Sequence, residues 1–134
     1  MKTAVIYWSG TGNTEAMAKA AAEGANAELF TVSEFSGNIA DYDAIAFGCP
    51  AMGAEVLEED EFEPFFTDIE SSLSDKKVLL FGSYGWGDGE WMRNWYERTK
   101  AAVAELIGDE GFIVNEAPSD DDLANLKALA AQLA

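Results

Sequence analysis

"AVIYWSGTGNTE", residues Ala4 to Glu15, decides how the chain is read. Ala4-Val5-Ile6 is a short apolar run with no polar alternation, the pattern of a strand buried on both faces. At Ser9 the run breaks into a loop where glycine alternates with Ser, Thr and Asn, and a helical pattern follows from Asn13 to Glu23. Strand, small hydroxylated loop and helix in that order open a βαβ unit. Further apolar runs at 28–32, 44–48, 78–82 and 111–114 repeat the strand pattern. Helical patterns lie between them at 61–73 and 90–107, with a short one near Ile39 and a final one at about 120–133. In the 90–107 segment Trp91, Met92, Trp95, Tyr96, Val103, Leu106 and Ile107 recur at spacings of three and four, and Gly108 supplies a stop. Strand and helix thus alternate five times. The expectation is one α/β domain over 1–134, an open parallel sheet with helices on both faces. Ligands of such sheets bind at the loops that follow the strands.

Composition narrows the chemistry. The 134 residues, 49% hydrophobic, suffice for one well-packed core. No run approaches the roughly 20 apolar residues that span a bilayer, and no cleavable leader pattern precedes the first strand, so a soluble cytoplasmic protein is expected. The chain has no histidine and one cysteine, Cys49, which excludes an intramolecular disulfide, the usual zinc sites and every Ser-His or Cys-His catalytic arrangement. Twenty-five acidic residues against eight basic ones give a net charge of −17. Such a chain repels nucleic acid and anionic membrane and favours partners with basic faces.

Three strand-following loops stand out. The first, Ser9, Gly10, Thr11, Gly12, Asn13 and Thr14, lacks the Gly-Lys-Ser/Thr ending of a P-loop and the third glycine of the dinucleotide fingerprint. It offers a helix N-terminus with hydroxyl and amide side chains, which suits an anion held by neutral donors; an elaborate helix cap is the simpler alternative. The second, from Cys49 through Pro50, Ala51, Met52, Gly53, Ala54 and Glu55, runs into an acidic stretch ending at Glu63. The third, Ser83, Tyr84, Gly85, Trp86, Gly87 and onward to Gly89, sets aromatic residues among glycines that let backbone approach a flat ligand. One planar ligand with a phosphate tail would touch all three. Cys49, Trp91 and Trp95 read as core residues.

The motifs "YWSGTGNTE", "GCPAMG", "EPFF" and "LFGSYGWGDGEWM" resemble those of the short-chain bacterial flavodoxins over nearly the whole chain. The resemblance implies a three-layer α/β/α fold with a five-stranded parallel sheet of order 2-1-3-4-5. It also implies non-covalently bound FMN, shuttling between quinone, neutral semiquinone and anionic hydroquinone to carry electrons at low potential between redox proteins as a monomer, with no substrate bond made or broken. By that resemblance 9–14 hold the FMN phosphate, Pro50 and Ala51 join the cofactor site, and Met52 to Glu55 border the ring near N5 and N3, with Glu55 accepting from flavin N3-H. Ser83 and Tyr84 belong to the cofactor site, the backbone of Gly85 to Gly87 faces the pyrimidine end, and Trp86 stacks on the ring. The peptide between Gly53 and Ala54 is implied to reorient when flavin N5 gains hydrogen. Glu55, Glu58 to Glu61, Glu63, Asp88 and Glu90 are expected to form an acidic rim that steers basic partners. No long insertion splits the fifth strand, which places the chain in the short class. A flavin-dependent NAD(P)H quinone reductase and a dedicated activating flavoprotein are the alternatives on the same scaffold.

Overall fold

The computed structural model describes residues 2–108 and 110–134. Its strands are β1 (Thr3–Tyr7), β2 (Glu28–Thr31), β3 (Ala44–Gly48), β4 (Lys77–Tyr84), β5 (Glu105–Leu106) and β6 (Phe112–Asn115), and its helices α1 (Asn13–Ala25), α2 (Phe62–Ile69), α3 (Glu90–Ala101) and α4 (Asp120–Ala130). Every described strand pairing is parallel. The order is β2-β1-β3-β4, with the fifth position shared: β5 pairs with Lys77 and Val78, β6 with Phe81 to Tyr84. The expected order 2-1-3-4-5 therefore holds.

Alternation along each strand builds two cores. Ala4, Ile6, Ile45, Phe47, Val78 and Leu80 face α2 and α3, where Phe62 and Phe66 stack and Trp95 meets both edge-on. Val5, Tyr7, Ala46, Leu79 and Phe81 face Met17, Ala18 and Ala21 of α1 and Leu126 and Ala130 of α4. That second layer is thin because α1 is rich in alanine, and α1 and α4 come close enough that a Cβ on Gly24 would run into the carbonyl of Lys127. Cys49, Trp91 and Trp95 are buried, as their sequence context predicts.

One expected element differs. The helix predicted over 90–107 ends at Ala101, and the residues beyond it enter the sheet. Glu105 N-H donates to the Lys76 carbonyl and Ile107 N-H to that of Val78, so residues that also fit a helical spacing are recruited by the open edge of β4. Val103, 63% exposed and at φ +67, lies on the turn that makes this possible rather than on a buried helix face. The fifth strand is thereby broken into two short pieces.

Candidate functional site

Three of the loops that follow strands meet at the C-terminal edge of the sheet around a cavity of about 260 Å³. Gly10, Thr11 and Asn13 line it from the β1 loop, Pro50, Ala51 and Met52 from the β3 loop, and Ser83, Tyr84 and Gly85 from the end of β4. Nine of the sequence-predicted site residues thus surround one space. Two of its residues were not predicted: Trp8, at the end of β1, and Glu116, just after β6. Glu116 belongs to a fourth strand-following loop, so the rule that placed the other three would have found it.

The β1 loop is assembled around Ser9. Its Oγ accepts from the N-H groups of Gly12 and Glu15, both at 3.2 Å. Gly12 takes φ +97, a left-handed turn that starts α1. Gly12 at the N-cap has no side chain to offer and Ser9 Oγ takes the Glu15 N-H, so among the first-turn groups the N-H of Asn13 and Thr14 point out of the helix without an intrahelical acceptor. Thr14 is 1% exposed, and its Oγ1 finds no hydrogen-bond partner. A buried hydroxyl without a partner costs about 1–3 kcal/mol, and here it sits in the first turn of a helix with a free N-terminus. This donor set fits a phosphate monoester. Ser9 and Gly12 line not this cavity but a neighbouring one of about 290 Å³, and Trp8 and Gly10 border both. The Trp8 indole N-H donates to Glu61 Oε1 at 3.2 Å, tying this loop to the start of α2.

The β3 loop is pinned at its root and hinged at its tip. Ala51 N-H donates to the Ser83 carbonyl, and the Trp91 indole donates to the Cys49 carbonyl at 3.1 Å. The Cys49 sulfur accepts from Glu58 N-H at 3.4 Å, and burial pushes its thiol pKa up, so Cys49 is a packing residue and not a nucleophile. Met52 and Val56 exchange backbone hydrogen bonds in both directions, leaving Gly53-Ala54-Glu55 as a three-residue tip. Gly53 takes φ +46 and Glu55 φ +57, whereas Ala54 stays out of the left-handed region. Of the two central positions Gly53 and Ala54, the positive φ falls on the glycine, and a second left-handed residue, Glu55, follows.

Glu55 carries a contact that the sequence did not imply. Its Oε1 accepts from Gly89 N-H at 3.2 Å and Glu90 N-H at 3.3 Å, capping α3 and bridging the second and third loops. Trp86 is 66% exposed and outside the cavity lining, with its aromatic surface available to a ligand.

Glu58 corrects the expected rim. It is 6% exposed, and its carboxylate accepts from the N-H groups of Asp60, Glu61 and Phe62 at 2.8–2.9 Å. It caps α2 from inside. Glu63 is likewise paired, with Arg98, which also grips Glu70. Glu59, Asp60, Glu61 and Glu90 remain as exposed acids beside the site, and Asp88, also exposed, pairs with Arg93.

A doubly wound parallel sheet with a neutral anion loop after β1 and a cavity at its C-terminal edge defines a cofactor-binding protein of the flavodoxin-like fold. The family model for flavodoxin matches residues 5–128. The chain is 52% identical to the flavodoxin of Megasphaera elsdenii over 122 residues, 87% of this chain and 88% of that protein. It is 52% identical to the flavodoxin of Clostridium beijerinckii over 118 residues, 84% and 86% of the two. The solution structure of two-electron reduced M. elsdenii flavodoxin superposes with a TM-score of 0.81 over 97% of this chain and 98% of that one, at 46% identity. The chain belongs to the flavodoxin family, and FMN binding and electron carriage come with that membership.

Proposed function

We propose that the protein carries electrons singly between soluble redox proteins, as a monomer in the cytoplasm, with FMN held by the loops that follow β1, β3 and β4. The observation that carries the cofactor placement is the unpartnered, buried Thr14 hydroxyl in the first turn of α1, whose N-cap residue Gly12 has no side chain. The N-H groups of this loop, the hydroxyls of Ser9, Thr11 and Thr14 and the Asn13 amide hold the phosphate by neutral donors. Bound FMN supplies the one-electron redox chemistry. Met52 to Glu55 and Ser83 to Gly87 position the ring between them, Trp86 covers it, and Glu55 accepts from flavin N3-H with the carboxylate that also caps α3. Gly53 gives its carbonyl to flavin N5-H.

The exposed acids Glu59, Asp60, Glu61 and Glu90 steer basic docking faces into fast, salt-sensitive complexes. No described helix is long and apolar enough to cross a membrane. Among the residues lining the cavity none is Arg or Lys, which disfavours a site built for a nicotinamide phosphate.

Fluorescence titration tests the placement. FMN binds much more tightly than riboflavin, since each charge-assisted hydrogen bond lost with the phosphate costs about 1.5–3 kcal/mol. Equal affinities refute the phosphate loop.

A further inference from the structure

The peptide between Asp88 and Gly89 is held at both ends. Its N-H, on Gly89, donates to Glu55 Oε1 at 3.2 Å, and its carbonyl, on Asp88, accepts from Arg93 Nη1 at 3.0 Å. A second bond runs from Arg93 Nη2 to Asp88 Oδ1 at 3.0 Å, so the guanidinium grips the backbone and the side chain of one residue. The Glu90 N-H donates to the same Glu55 Oε1 at 3.3 Å. Both bonds to Glu55 therefore fall on Oε1, and no described residue donates to Oε2.

A guanidinium, a peptide and a carboxylate thus form one line of hydrogen bonds across the third loop, ending at the tip of the second. Arg93 lies on α3 four residues beyond Gly89, where a helical side chain leans back over the preceding turn. Its hydrogen bond to Asp88 first, and the Glu90 and Glu55 carboxylates after it, raise its pKa, which puts Glu55 within electrostatic reach of the guanidinium. Arg93 does not line the cavity between the flavin loops, and its side chain is 58% exposed. Its route to that cavity is the peptide.

On the reading that Glu55 accepts from flavin N3-H, we infer that Arg93 is a positioning residue for that contact: through the Asp88 to Gly89 peptide it fixes the Glu55 carboxylate by Oε1 and leaves Oε2 for the ring. A carbonyl that accepts from a cation polarises its own peptide, and the N-H at the other end becomes a stronger donor. Without Arg93 the peptide loses the anchor on its carbonyl side, and the carboxylate is left on two long bonds. An ordinary surface pair between Arg93 and Asp88 would have no bearing on the flavin.

The test titrates the full-length, flavin-free protein with FMN and with lumiflavin, which carries N3-H but no phosphate and so does not report attraction between the guanidinium and a phosphate. Arg93→Met weakens both flavins by the same factor, about two- to fivefold, the range of an exposed ion pair. In a Glu55→Ala background the same change moves either affinity by less than about 1.5-fold. Arg93→Lys keeps the charge without the planar fork and falls between the parent and Arg93→Met. Unchanged affinities in Arg93→Met, full affinity in Arg93→Lys, a loss confined to FMN, or an equal loss with and without Glu55 each overturn the relay and leave the N3-H contact standing. A Glu55→Ala protein that binds both flavins as the parent does overturns the N3-H contact and the relay together.

Discussion

Gly87 occupies the position where the Glu55 carboxylate crosses to α3, and replacing it by alanine should uncouple two of the flavin loops. Gly87 takes φ +89, and an added Cβ would overlap the Glu55 carboxyl group, its nearest neighbour. Two costs follow. The left-handed conformation penalises alanine by about 1–2 kcal/mol. The displaced carboxylate also releases the N-H groups of Gly89 and Glu90. Those bonds are long, at 3.2 and 3.3 Å, and the side chain is half-buried, so their joint value, helix-dipole attraction included, is about 1–2 kcal/mol. Gly87→Ala therefore lowers the unfolding free energy by about 2–4 kcal/mol. In a Glu55→Ala background the obstructing carboxyl is gone, and the same change costs only the conformational part. Urea unfolding of parent, both single variants and the double variant gives the coupling directly, about 1–2 kcal/mol. Additivity within about 0.5 kcal/mol refutes the clash between Gly87 and Glu55 as the link between the loops.

Glu58→Ala leaves three N-H groups at the start of α2 without their acceptor and lowers stability by about 1–3 kcal/mol in chemical denaturation; a loss below about 0.5 kcal/mol contradicts the internal cap. The Arg98 guanidinium holds the Glu63 carboxyl below its ordinary pKa, so the pair's contribution is present above the ordinary carboxylate range and lost as pH falls through the depressed value. Because Glu63 is partly exposed the effect is modest, about 0.2–1 kcal/mol. Arg98→Met shows a shallower loss of stability on acidification than the parent, and identical pH profiles contradict the pairing. At Gly53 an added Cβ meets nothing within 4 Å, so Gly53→Ala is penalised only by its left-handed φ, by about 1–2 kcal/mol. If flavin N5-H draws on that conformation, the first reduction potential drops by tens of mV, about 59 mV per tenfold change, with FMN still bound; spectroelectrochemical titration showing no shift refutes the role of the Gly53 turn.

The central sheet was legible because burial on both faces leaves continuous apolar runs, and β3 starts and ends where its run does. The edge strands β2 and β6 were legible too, at 28–32 and 111–114, but the short β5 was not. Residues 102–107 carry a pattern that either a helix or a strand could use, and only the free hydrogen-bonding edge of β4 decides between them. Periodicity records which side chains are apolar, not which neighbouring backbone is unpaired. The short pairing of Glu105 and Leu106 with Lys77 and Val78 is a tertiary choice without a local signal.

The site shows the same division, in a different currency. Loop positions were readable because glycine, hydroxyl and aromatic residues cluster after strands. Carboxylates were not, since the acidic stretch from Glu55 to Glu63 gives every acid the same appearance. Folding assigns them opposite tasks: Glu59 and Asp60 stay in solvent, while Glu58 is buried and satisfied by three N-H donors. Glu55 reaches across to α3, and Glu63 closes on Arg98. A buried carboxylate survives only where donors converge on it, and the donors here are backbone groups exposed by the starts of α2 and α3. Helix N-termini, not residue type, therefore decide which acids leave the rim. Of the negative charges beside the flavin loops, Asp88 is paired with Arg93, which leaves Glu59 and Asp60 as acids that found neither a helix N-terminus nor an arginine and can act on an approaching partner.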